Sequence, residues 1–171
     1  MPYAEQAINL YRNLAEECDI AMTLVDVLLE EQACLVKLET NRLSELSLKK
    51  EGMMVDLEKR FKTNVRNAQG AGFEPSMEGL ALWVDQLAIE EPRLLGTYST
   101  LRMTLQQAHR LNTTNGDLVT EQLMGLQQRI AILTAAALAD QQPNSVNTYG
   151  PKGALSTNNN AAGNMPRAVI R

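Results

Sequence analysis

The most constraining feature of the chain is the seven-residue apolar repeat that opens it. Ala7, Tyr11, Leu14, Cys18, Ala21, Val25, Leu28, Gln32 and Leu35 follow one another in steps of four and three. That spacing keeps side chains on one stripe of an α-helix. Leu10, Leu24, Leu29 and Val36 widen the stripe, which suits a helix inside a bundle better than a two-stranded coil. No Gly or Pro interrupts residues 3–51. Composition agrees: aromatic residues make up 4% of the chain, whereas Leu and Ala number 25 and 19. Straight-chain residues of this kind favour helices over the β-branched and aromatic mix of sandwiches and barrels.

Thr40-Asn41-Arg42 reads as a short turn, with Asn41 as N-cap of a second helix from about Arg42 to Ala68. The stripe of that helix is Leu43, Leu46, Met53, Leu57, Phe61 and Val65. A turn this short makes the two helices antiparallel neighbours. Residues 1–35 hold seven acids and one Arg, and residues 36–70 hold eight Lys/Arg and five acids, so an acidic face is expected to lie near a basic one. Gly70, Gly72 and Pro75 punctuate a loop. Ser76 can cap a short third helix from Met77 to about Glu90, and Pro92 stops it or opens the next.

From Arg93 to about Ala139 the helical period returns. One row is Tyr98, Leu105, Asn112, Val119, Leu126 and Leu133; its partner row is Leu101, Ala108, Asn115 and Gln122. Together the two rows are read as the seam. The phase survives Asn112-Thr113-Thr114-Asn115-Gly116, so one long helix is expected, with a break at Gly116 as the alternative. Residues 140–171 then turn polar, with six Asn, three Gly and three Pro. Such a segment cannot bury enough apolar surface to offset the entropy of ordering. The expected architecture is all-α: a left-handed antiparallel bundle of three long helices and one shorter one over residues 1–139, followed by a disordered, flexible tail over 140–171.

Several functions are disfavoured. The net charge of −4 argues against a dedicated nucleic-acid binder. The basic run Lys59-Arg60-Phe61-Lys62 is interleaved with acids and reads as a solvated face. No apolar run approaches the roughly 18 residues of a membrane span, and no secretory signal opens the chain. A cytoplasmic protein is expected. With one His and two Cys, neither a structural zinc site nor a di-iron site can be built. Cys18 and Cys34, roughly 24 Å apart on one helix, cannot bridge each other and read as small core residues. No phosphate-binding glycine loop is present, and no cofactor is expected. His109-Arg110-Leu111-Asn112-Thr113 resembles the His-x-Leu-Lys-Gly stretch of histidine phosphotransfer domains. Asn112 and Thr113 replace the Lys and Gly that the chemistry needs, so no enzyme is expected.

In their order, the remaining features resemble the FlgN-type flagellar export chaperones. The resemblance rests on the two long N-terminal helices, with Leu28-Leu29-Glu30-Glu31-Gln32 on the first and Leu43 to Leu57 on the second. It rests also on Leu111-Asn112-Thr113-Thr114-Asn115-Gly116-Asp117-Leu118, similar to an Asn-x-x-Asn-Gly-x-Leu element, and on the amphipathic helix that follows. Last comes Thr148-Tyr149-Gly150-Pro151-Lys152-Gly153, similar to Tyr-Gly-x-x-Gly. Met77 to Leu95 is the least family-like region. The resemblance implies a non-catalytic chaperone for hook–filament junction (hook-associated) proteins, whose C-terminal helical segments it would hold unassembled. On this chain the implied client surface is Asn112, Asn115, Leu118, Val119, Gln122, Leu126, Ile130 and Leu133. Asn112 and Asn115 could equally fix helix register. Docking on the flagellar export gate would fall to Tyr149, with Gly150 and Gly153 shaping its turn. A general helical adaptor or dimerising scaffold, and hence a homodimer, stays open as the alternative.

Overall fold

The computed structural model describes residues 2–140, which form four α-helices and no strand: α1 Pro2–Lys37, α2 Thr40–Gly70, α3 Met77–Leu87 and α4 Arg93–Asp140. Three are long and one is short, as the periodicity predicts. The chain divides into two units, Met1–Gly125 and Leu126–Arg171. Within the first, α1 is the hub. Its repeat positions Ala7, Leu14, Cys18, Ala21, Val25, Leu28 and Leu35 are all buried, and so are Leu10, Leu24 and Val27 beside them. Leu29 and Val36, also assigned to the stripe, are exposed instead; the buried arc widens on the side of Leu10 and Leu24.

α1 and α2 run antiparallel, because Glu30 pairs with Arg42, Glu31 with Lys50 and Glu16 with Arg60. The acidic and basic faces therefore meet as their charges predict. The exposed pairs, Glu30–Arg42 and Glu16–Arg60, contribute little individually and serve register more than stability, whereas Glu31 is buried.

The turn between α1 and α2 lies earlier than expected. α1 ends through Leu38, which takes a left-handed φ of 60°. The Leu38 N–H donates to the Leu35 carbonyl and the Glu39 N–H to the Cys34 carbonyl, which satisfies carbonyls orphaned at the helix end. α2 then starts at Thr40 with Glu39 as N-cap and no side-chain cap, so Asn41 sits inside the first turn and caps nothing. Gly72 performs the same left-handed stop after α2, at φ 94°, where its glycine is the usual choice. An ordinary leucine in that role left no signal in the sequence.

Ser76 caps α3 as expected: its Oγ accepts from the Gly79 N–H at 3.0 Å. Leu80, Trp83, Val84 and Leu87 bury against Ala7, Leu10 and Leu14 of α1 and Ala68 of α2. Gly79 is required here, since a Cβ would lie 2.0 Å from the Glu74 carbonyl oxygen. Helix α3 ends at Leu87, short of Glu90, and Pro92 immediately precedes α4. At that junction Arg93 chelates Glu91, holding its carboxyl down at about 2, and its guanidinium lies 4.2 Å over the Tyr11 ring.

Both cysteines are free and buried. Burial pushes their thiols above the ordinary range, which makes them inert core residues rather than nucleophiles.

Candidate binding surface on α4

α4 is one uninterrupted helix across Asn112–Gly116. It runs parallel to α1 in the first unit, with Leu28 opposite Asn115 and Leu35 opposite Gln122. The two seven-residue rows on α4 are sharply different. Leu94, Leu101, Ala108 and Asn115 are buried and Gln122 is half-buried. Of the other row, Tyr98 is half-buried, while Leu105, Asn112 and Val119 are exposed. Of the two rows read from sequence as the seam, only the second therefore faces α1, and the first is the outer one. Two rows of equal period cannot be told apart by spacing. The inner one buries Leu94, Leu101 and Ala108, and its Asn115 and Gln122 amide nitrogens find acceptors on α1, although the Asn115 Oδ1 is buried without a partner.

Those partners are specific. The Asn115 amide donates to the Leu28 carbonyl at 2.9 Å and to Glu31 at 2.8 Å. Glu31 also accepts from Lys50 of α2 at 2.7 Å. One buried carboxylate thus ties three helices together. Its charge is offset by Lys50, as burial of a charge demands. The Gln122 amide donates to the Leu35 carbonyl at 2.6 Å. A second buried polar pair links α1 to α2, where Asn64 donates to Glu17. Burial is the main reason the Glu17 carboxyl is pushed up to about 7; the Asn64 hydrogen bond and Arg60 oppose that rise only in part. Nothing in the repeat pattern singled out Glu17 or Asn64, because a polar residue at a core position looks like an interruption until its partner is known.

The eight residues assigned to client binding therefore divide. Asn115 is 2% exposed and engaged with α1, which makes it a register residue of the bundle. Gln122 is likewise bonded to α1, and Leu118 is half-buried. Asn112 and Val119 are exposed in the first unit. In the second unit, Leu126, Ile130 and Leu133 are 52–69% exposed, and Ile132 and Leu138 are exposed as well. Tyr149, Gly150 and Gly153 lie outside the described residues. His109 is exposed, and among the described residues no group of three or more His, Cys, Asp or Glu could hold a metal. No described helix is long and apolar enough to cross a membrane.

Beyond Gly125, α4 presents Leu126, Ile130 and Leu133 exposed at helical spacing. Residues 1–157 match the model of the family described as FlgN protein. The chain belongs to the FlgN family. It is thereby a flagellar export chaperone in the general sense. The FlgN match includes Met77 to Leu95 and extends through Thr148–Gly153, and it stops short of the last residues. No curated protein and no solved structure matches the chain.

Proposed function

We propose that this FlgN protein acts in the cytoplasm. It binds the C-terminal helical segments of flagellar hook-associated proteins, keeps them unassembled and delivers them to the export gate. The observation that carries the proposal is the exposed apolar face of α4. Leu126, Ile130 and Leu133 stand at i, i+4 and i+7, the spacing of anchors in helix-on-helix recognition, and each is more than half exposed. Large apolar side chains left in this pattern are costly to solubility unless something covers them. A client helix that would otherwise self-associate has the matching requirement. In the first unit, Asn112 and Val119 are exposed on α4 as well. Asn115 and Gln122 bond α4 to α1 within the first unit.

In this reading the gate is met by the segment around Tyr149, within the span that matches the family. The two tasks then fall on different residues. Calorimetric titration of the full chain with the C-terminal helical segment of a hook–filament junction protein should give micromolar or tighter binding. Tyr149→Ala should leave that binding unchanged and weaken capture by the gate's cytoplasmic domain. Absence of client binding by a helical, correctly folded sample contradicts the proposal. Equal loss of both activities in Tyr149→Ala contradicts the division of labour.

A further inference from the structure

Within the first unit, α2 and α4 both pack on α1 and leave a groove between them. Two adjoining cavities of about 230 and 300 Å³ occupy it, and they share Leu57 and Leu105. Leu24 and Leu28 of α1 form part of the floor; Met54 and Phe61 of α2 and Tyr98 and Leu105 of α4 form the walls. Met54, Phe61 and Leu105 are 49%, 37% and 38% exposed. On α4 the groove runs from Tyr98 to Asn112, about 21 Å at about 1.5 Å per residue, or four turns of a partner helix. Three long helices around such a slot are one short of a four-helix bundle. The eleven-residue α3 packs on the cluster around Ala7, Leu10 and Leu14 and contributes Met77 and Leu80 to one end of the groove.

Charge says what kind of helix fits. Between Arg93 and Gly116, α4 carries three Arg and no acid, and α2 carries seven Lys/Arg and four acids. Among the charged residues that line the groove, Lys50 is taken by Glu31 and Glu58 by Lys62, while Glu17 is buried against Asn64. Arg102 remains: it is exposed, stands over Tyr98, and belongs to no ion pair among the described residues. Lys59, Arg66 and Arg110 line other surfaces, so in a chain of net charge −4 the cation that the groove itself leaves unpaired among the described residues is Arg102.

We propose that the α2–α4 groove is a docking site for an amphipathic helix of a partner protein whose polar flanks are acidic, laid between α2 and α4 as a fourth long helix. Apolar side chains of that helix fill the space over Leu57 and Leu105, and its flanking carboxylates meet Arg102. This site is separate from Leu126, Ile130 and Leu133, and it does not rest on the client reading.

The test uses the full chain and two synthetic amphipathic helices of roughly 15 residues, about four turns. They have identical leucine stripes, and their flanks are all Glu in one and all Lys in the other. The Glu peptide should bind, more tightly as salt is lowered, and the Lys peptide at least about tenfold more weakly. Met54→Asp or Leu105→Asp should each cut binding of the Glu peptide at least about tenfold. Arg102→Glu should reverse the preference between the peptides. All three positions are partly or fully exposed, so circular dichroism should show unchanged helicity and melting. Leu126→Asp with Ile130→Asp should leave Glu-peptide binding intact, which keeps this site distinguishable from the client face. Equal affinity for both peptides, or binding lost only in the Leu126/Ile130 variant, overturns the proposal. So does a dimer of the protein alone, seen by sedimentation, that Leu105→Asp splits, since the groove would then belong to a second copy.

Discussion

The two rows of α4 have the same period and opposite fates. The inner row contains Asn115 and Gln122, yet it faces α1; the outer row contains Leu105, Val119, Leu126 and Leu133, all of them exposed. Both rows carry large apolar side chains, with Leu94, Leu101 and Ala108 buried on the inner one. The difference teaches that the face α4 buries is also the one whose amides reach acceptors on α1. Asn115 reaches the Leu28 carbonyl and Glu31, and Gln122 reaches the Leu35 carbonyl. An unpaired buried amide costs roughly 1–3 kcal/mol, a cost these bonds reduce once the inner row is buried.

The comparison can be broken most forcefully from the inside. Leu101→Ala removes a side chain that is 4% exposed and should cost about 3 kcal/mol in urea unfolding. A loss below about 1 kcal/mol would mean that the inner row is loosely packed.

Glu17 sharpens the account of buried polar groups through pH. Its carboxyl is raised from an ordinary 4.5 to about 7 in the folded protein, so the folded state holds its proton more tightly than the unfolded one. Stability should therefore be highest below about pH 4.5, as far as this group is concerned, and fall as pH rises toward 7, by up to about 3 kcal/mol. Glu17→Gln keeps a polar partner for Asn64. It should flatten that dependence and raise stability at pH 8. A variant with the same pH slope as the wild type would show that another group titrates.

Asn115→Ala strands Glu31 with one partner fewer and should cost about 2 kcal/mol. The smallest effect is expected outside. Leu133→Ala, at a site 69% exposed, should change stability by no more than about 0.5 kcal/mol while weakening client binding. A large stability loss there would mean that the outer row is packed after all.

Much of the fold was legible because its signals are local. The α1 repeat, the Ser76 cap and the continuity of α4 through Asn112–Gly116 all follow from spacing and side-chain chemistry. Three features were not. The α1–α2 turn hinges on Leu38 in a left-handed conformation, where no glycine marks it. The Glu17–Asn64 pair joins residues 47 positions apart, which periodicity within one helix cannot relate. The choice between the rows of α4 depended on packing against α1, which is a tertiary fact. The candidate surface was legible to the same degree: Val119, Leu126, Ile130 and Leu133 stand out as apolar at helical spacing. Asn115 and Gln122 are separated from them only by what they touch.

The central claim is that the inner row of α4 builds the bundle and that the outer row from Val119 to Leu133 receives the client. Hydrogen–deuterium exchange of the full chain, with and without the C-terminal helical segment of a hook–filament junction protein, tests it most directly. The account predicts new protection along α4 from Val119 to Leu133, with α1 unchanged. Protection confined to α1 and α2, with α4 exchanging as in the free protein, would contradict it.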